Sequence, residues 1–167
     1  MAVSLKTRPE KTIAGFFKKR PPSMPCVAIA ESCTGGLASH MLTAVPGSSA
    51  YFAGSVVAYS NAAKIKLLGV SAKTLKKYGA VSRETALGMA IGVKTLFNAK
   101  AAVSITGIAG PGNAASLKPV GAVYICAIVN GKKHIEKFMF KGSRALIKKQ
   151  SAETALKMLA DTLRNMR

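Results

Sequence analysis

The stretch Cys26-Val27-Ala28-Ile29-Ala30-Glu31-Ser32-Cys33-Thr34-Gly35-Gly36-Leu37-Ala38-Ser39-His40-Met41-Leu42-Thr43-Ala44 changes its period halfway along. Its first residues form a short β-prone apolar run that stops at small polar residues and glycines, as a strand entering a tight turn does. From Leu37 the apolar positions Leu37, Ala38, Met41, Leu42 and Ala44 recur at helical spacing. The reading is a strand at 26–31, a turn, and a helix at about 35–44. Ser32 to Gly36 then sit at a strand-to-helix junction, where backbone N–H groups point outward. Such a junction caps a helix, binds an anion or hosts a nucleophile, and the stretch alone leaves all three open.

Working outward, the alternation continues. A basic, proline-containing segment at 1–25 carries a short helical pattern from Lys11 to Lys19, with Ile13, Phe16 and Phe17 as its apolar side. Pro46 to Ser49 makes a turn, Tyr51 to Tyr59 is β-rich, and Asn61 is the expected cap of a short helix ending at Leu68. Ser82 is the expected cap of a long helix to Phe97, with Leu87, Met89, Ala90, Val93 and Leu96 inward. Ala101–Thr106 reads as a buried strand. Val120–Val129 and Lys133–Phe140 are strands joined at Asn130-Gly131, a strong hairpin signal. Residues 143–166 close the chain as an amphipathic helix with Leu146, Ile147, Leu156, Leu159 and Leu163 inward. Strands alternating with helices, followed by a late hairpin, predict an α/β/α layered domain with a mixed sheet over 26–167, preceded by the basic extension 1–25.

Composition narrows the chemistry. With 49% hydrophobic residues the chain can bury a core, no apolar run reaches the length of a membrane span, and no signal peptide is evident. Three scattered cysteines, Cys26, Cys33 and Cys126, point to a reducing compartment, so a cytoplasmic location is expected. Twenty-five Lys and Arg face six acids, a formal net charge of +19. That excess favours nonspecific, salt-sensitive contact with nucleic acid, whereas no zinc-finger or RNP-like pattern supports sequence-specific binding. The six acids are Glu10, Glu31, Glu84, Glu136, Glu153 and Asp161, too few and too scattered for a paired-carboxylate hydrolase or an oxygen-rich metal site. His40 and His134 stand alone, so no metal is expected. Chemistry must run on hydroxyls, lysines and backbone amides.

Three polar segments fall at predicted carboxyl ends of strands, where open α/β sheets bind ligands: Glu31–Gly36, Tyr59–Lys64 and Thr106–Asn113. Ser32 becomes a nucleophile if a base and an oxyanion hole accompany it. The amides of Cys33, Thr34, Gly35 and Gly36 are the candidate hole. Lys64, in a first helical turn whose dipole lowers an amine's pKa, is the candidate base, although its placement equally describes a surface lysine. Glu31 either caps the helix or orients a polar group at the site. The glycines of Gly107-x-x-Gly110-x-Gly112 let amides approach a phosphate, and Arg144 at the last helix start can reach an anion.

The segments "AESCTGG", "PGSSAYF", "VVAYSNAAKIKLLGV", "YGAVSRETA", "AVSITGIAGPGN" and "KPVGAVY" occur in this order, and together they resemble the C-terminal domain of CinA, the competence/damage-inducible protein A. The likeness covers about residues 26 to 166. It implies a three-layer α/β/α sandwich with a mixed, mostly parallel five-stranded sheet. It also implies metal-independent, cofactor-free hydrolysis of the carboxamide of nicotinamide mononucleotide to nicotinate mononucleotide and ammonia, in pyridine nucleotide recycling. In the resemblance Ser32 is the nucleophile, assisted by Tyr59 and Lys64. Ser48 or Ser49, Thr106, Gly107, Gly110 and Arg144 would hold the nucleotide's phosphate, and Glu31 would join the substrate contacts. A homo-oligomer is expected, with no membrane partner. Two departures from the family pattern fall at 112–116 and at Gly142-Ser143-Arg144. Two rival readings remain: Cys33 as a thiolate nucleophile, since neighbours point apart and only one of the pair faces substrate, and an inactive nucleotide-binding or DNA-damage-associated module.

Overall fold

The computed structural model describes residues 8–18, 27–112 and 118–165. Its elements are α1 (Pro9–Lys18), β1 (Val27–Glu31), α2 (Leu37–Thr43), a 3-10 turn (Ser48–Ala50), β2 (Phe52–Val57), α3 (Asn61–Leu68), α4 (Ala72–Tyr78), α5 (Arg83–Leu96), β3 (Ala101–Gly107), β4 (Ala122–Val129), β5 (Lys132–Met139) and α6 (Arg144–Arg164). Cys26 and most of the basic extension lie outside the described residues.

The five strands pair in the order β2-β1-β3-β4-β5. β1 runs parallel to both β2 and β3, with Val27 opposite Phe52 and Ala101. β4 opposes β3 and β5 opposes β4, so β5 runs the same way as β3 and only β4 is reversed. The mixed, mostly parallel sheet and the α/β/α layering match expectation. The Asn130-Gly131 turn joins β4 to β5, with Asn130 at φ 46 and Gly131 at φ 83.

Side chains alternate across the sheet and sort by size. Val27, Ile29, Val103 and Ile105 face one layer, where they pack with Ile13 of α1, Leu42 of α2 and Ile147, Leu156 and Leu159 of α6. Ala28, Ala30 and Ala102 face the other, against Leu68, Leu75, Met89 and Val93. Small residues on that face let α5 lie close to the sheet, and the Ser104 hydroxyl donates to the Ala86 carbonyl at 2.5 Å. α3 in turn presses on α5. A Cβ at Gly92 would stand 1.9 Å from the Leu68 carbonyl oxygen, so the end of α3 rests on bare α5 backbone.

Several local expectations are corrected. Ser60, not Asn61, caps α3: its hydroxyl accepts the Ala63 N–H at 3.0 Å. The sequence reading assigned no helix at 72–78, because Leu75 is the one buried side chain of α4 and carries no visible period. Leu96 and Leu146 are exposed at 57% and 43%, and Leu87 is only half-buried. Leu96 is the last residue of α5 and Leu146 lies in the first turn of α6, where a helix runs past the sheet it covers.

Gly92 provides a test of the α3–α5 contact. Gly92→Ala is expected to lose about 1–3 kcal/mol of unfolding free energy in urea, the usual cost of overpacking. Gly88→Ala, whose nearest contact is a flexible Val70 methyl at 3.4 Å, should instead be neutral or gain up to about 1 kcal/mol from helix propensity.

Candidate active site

Ser32 stands where β1 stops, its N–H donating to the Ile105 carbonyl of β3 at 3.0 Å. The chain then turns through Gly35 at φ 62 and Gly36 at φ 99, left-handed conformations that cost a side-chain-bearing residue energy. Glu31 makes this turn possible. Its fully buried carboxylate accepts N–H bonds from Gly36, Ala38 and Ser39 at 3.0, 3.1 and 2.9 Å, and the Ser39 hydroxyl at 2.6 Å. An anion thus satisfies the orphan amides at the start of α2. The expectation that Glu31 touches substrate is corrected: the carboxylate is spent beneath the helix.

The same bonds revise the oxyanion hole. Gly36 N–H is held by Glu31 and Gly35 N–H by the Ser32 carbonyl at 3.1 Å. Among the described residues, the Thr34 N–H donates to no other group, and the Cys33 N–H meets only its own sulfur. The hole narrows from four amides to two.

Lys64 arrives from the other side. β2 ends at Val57, Ser60 caps α3, and one turn later Lys64 points inward at 1% exposure. Its Nζ lies 2.9 Å from Ser32 Oγ and donates to the Ala58 carbonyl at 2.9 Å. No ion pair among the described residues includes it. Burial pulls its pKa below the ordinary 10.5. The sequence reading credited the helix dipole for such a shift, but desolvation is the leading cause. With no carboxylate beside it, the buried amine is biased toward the neutral form.

Cys33 also borders the cavity, while its side chain belongs to the buried cluster that holds Ile29, Leu42 and Ile105. Burial pushes its thiol up to about 11, which disfavours the thiolate that a cysteine nucleophile requires.

Ser32, Cys33, Tyr59, Lys64, Thr106 and the 107–111 loop line a cavity of about 220 Å³, closed on one side by Ala80 and Val81 and at its mouth by Arg144. Thr106 hydroxyl donates to the Ala80 carbonyl at 2.7 Å, and Lys118 Nζ donates to the Val81 carbonyl. Ser82 and Thr85 hydroxyls both donate to the Gly79 carbonyl, at 3.0 and 2.7 Å. The 79–81 wall was not assigned to the site from sequence, although it lies within the segment Tyr78-Gly79-Ala80-Val81-Ser82-Arg83-Glu84-Thr85-Ala86 that carries part of the family resemblance. Arg144 donates to the Gly110 carbonyl and, at 2.7 Å, to the Tyr59 hydroxyl. Tyr59, 60% exposed, is therefore held at the mouth by Arg144 and makes no hydrogen bond to Ser32. Ser143 caps α6, accepting the Leu146 N–H at 3.3 Å, so the serine at this departure from the family pattern keeps the helix start.

Ser48 and Ser49 do not reach the cavity. They precede β2, at the amino ends of the parallel strands, and the length of the sheet separates them from the site at the carboxyl ends. The departure at 112–116 falls largely on residues outside those described. Among the described residues no group of three or more His, Cys, Asp and Glu side chains is placed to hold a metal ion, and no helix is long and apolar enough to cross a membrane.

Comparison with known proteins followed the same lines. The sequence model of the CinA C-terminal domain matches residues 11–163. A CinA-like protein of Thermosynechococcus vestitus is 50% identical over 137 residues, 81% of this chain and 33% of the relative. A CinA-like protein of Syntrophomonas wolfei is 48% identical over 139 residues, 83% of this chain and 33% of that relative. The chain thus spans about a third of these curated relatives. Among solved structures, the competence/damage inducible protein CihA from Agrobacterium tumefaciens is 38% identical with a TM-score of 0.84, covering 98% of this chain and 99% of its own. A CinA superfamily protein from Klebsiella pneumoniae gives a TM-score of 0.87 at 29% identity, over 94% and 96% of the two chains.

The buried lysine carries a signature in stability. Folding releases its proton at any pH between the lowered folded pKa and 10.5, so stability rises with pH across that window and the penalty stands in full below it. Lys64→Met lacks this titration. Its melting temperature relative to the parent should therefore be highest near neutrality and fall as pH climbs toward 10. A difference independent of pH in thermal melts would mean Lys64 is not desolvated.

Proposed function

This chain belongs to the CinA C-terminal domain family, and from that premise and the site's geometry we propose that it is a metal-independent amidohydrolase of a nucleotide carboxamide. The substrate assigned is nicotinamide mononucleotide, with water giving nicotinate mononucleotide and ammonia. One observation carries the reading: a lysine amine buried without a counter-ion, 2.9 Å from a serine hydroxyl at a strand end. A buried, unpaired lysine costs stability, and an idle binding module has no use for that cost.

Neutral Lys64 Nζ accepts the Ser32 proton as Oγ attacks the carboxamide carbon. The carbonyl π electrons move to oxygen, and that oxyanion faces the Cys33 and Thr34 N–H groups, which strengthen their bonds as charge develops. Lys64 returns the proton to the departing nitrogen, the C–N bond breaks, and ammonia leaves an acyl ester on Ser32. A water then attacks the ester with Lys64 as base, Oγ takes the proton back, and the carboxylate is released. The Ala58 carbonyl keeps Nζ aimed throughout. The cavity suits a small planar amide, with the rest of the nucleotide at the mouth. There Arg144 faces the phosphate and the 107–112 loop borders it, while Tyr59, tied to Arg144, borders the heterocycle.

Ammonia release from nicotinamide mononucleotide should be readily measured with the purified chain. Ser32→Ala and Lys64→Arg, the latter unable to lose its proton, should each fall on the order of 10³-fold or more. Full activity in either would remove the mechanism. In the parent, kcat/KM should rise with pH along one limb as Lys64 deprotonates, with its midpoint below 10.5. Arg144→Lys, which keeps the charge but loses the forked donor pair, should raise KM several-fold with a smaller change in kcat, because its contact is with the non-reacting end.

A further inference from the structure

The charge excess of the chain is unevenly spent. Glu31 is consumed under α2, Glu153 and Asp161 pair with lysines of α6, and Glu136 lies against His134. In the layer formed by α3, α4 and α5, Glu84 is the single acid, against Lys73, Lys76, Lys77, Arg83 and others. β5 adds to that layer's charge. Ile135 pairs with Cys126 and packs toward α5, so Lys137, two residues on, projects to the same face, while His134 and Glu136 project to the opposite one.

Contacts join these groups into one continuous ribbon. Lys77 Nζ lies 5.0 Å from the Tyr78 ring centre. Lys118 donates to the carbonyls of Tyr78 and Val81 and stands 5.6 Å from the Tyr124 ring. Lys137 lies 6.0 Å from that same ring, and Arg83 donates to the Ile135 carbonyl at 3.2 Å. Tyr78 is 40% exposed. The ribbon begins beside Val81, at the wall of the catalytic cavity, and ends on the edge strand.

We propose that the ribbon Lys77–Tyr78–Lys118–Tyr124–Lys137–Arg83 is a docking surface for single-stranded nucleic acid, bound without regard to sequence. Cations strung along a surface track a phosphate backbone by counter-ion release. The exposed Tyr78 ring set among them offers a face to an unstacked base. An acidic protein would use the lysines but leave Tyr78 idle. A duplex keeps its bases stacked, and the ribbon presents no long basic helix to enter a major groove. The surface uses none of the residues of the proposed hydrolysis and stands or falls apart from it.

The test is fluorescence anisotropy of a labelled single-stranded DNA oligonucleotide of mixed sequence, titrated with the whole chain at several salt concentrations. Saturable binding is expected. Lys77→Glu/Lys137→Glu should weaken it at least tenfold and lower the salt slope by about 2, and Tyr78→Ala should weaken it by about 5-fold or more. The charge-matched control Lys11→Glu/Lys18→Glu, two exposed lysines of α1 in the opposite layer, should change affinity by less than about twofold. Ammonia release and thermal melting should match the parent in both double variants, which separates a lost surface from a lost fold. Equal weakening in the two double variants overturns the proposal in favour of a diffuse cation cloud. Tighter binding of the matching duplex, or equal binding of polyglutamate, overturns it in favour of another polyanion.

Discussion

The contact between Lys64 Nζ and Ser32 Oγ joins two segments 32 positions apart and sets what the rest of the molecule must supply. Taking an amine out of water is costly, and here the cost is met by one hydroxyl and one carbonyl with no opposing charge. The surroundings have to hold it there. β1 and β2 are parallel neighbours, so their carboxyl ends deliver Ser32 and the α3 start to the same edge. α3 is seated against α5 through Gly92. The amine therefore sits on a rigid support, and rigidity is what a base needs to be aimed before reaction.

Glu31 does the corresponding work for Ser32. A buried carboxylate accepting three N–H groups and a hydroxyl fixes the turn after Ser32 and consumes the amides that would otherwise compete for an anion. What Glu31 leaves aside is the pair of amides next to Ser32, those of Cys33 and Thr34. Carboxylate and amine thus divide the two faces of the junction: Glu31 orders backbone below α2, and Lys64 faces the hydroxyl. Glu31 and Lys64 form no ion pair, and burial lowers the lysine's pKa.

Segments that were periodic on their own were legible. The apolar run of β1, the Met89, Ala90 and Val93 part of the α5 stripe, the Asn130-Gly131 hairpin and the Ser82 cap follow from local chemistry, and each is where it was expected. Ser32, Lys64, Thr106, Gly107, Gly110 and Arg144 converge on one cavity as their strand ends implied. α4 was illegible because a single buried leucine has no period. Ser48 and Ser49 were misplaced because a motif read along the chain does not show which end of a parallel strand it occupies.

By itself, then, the sequence determined the layered α/β class, the family segments, and the scarcity and scatter of its acids, since these depend on period, composition and counting. Tertiary structure alone decided which polar groups are consumed and which are left over. Glu31 folds back beneath its own helix, Tyr59 is tied to Arg144 85 positions away, and Lys64 loses its water. Desolvation and hydrogen-bond occupancy are properties of what packs around a group, and no local pattern encodes them.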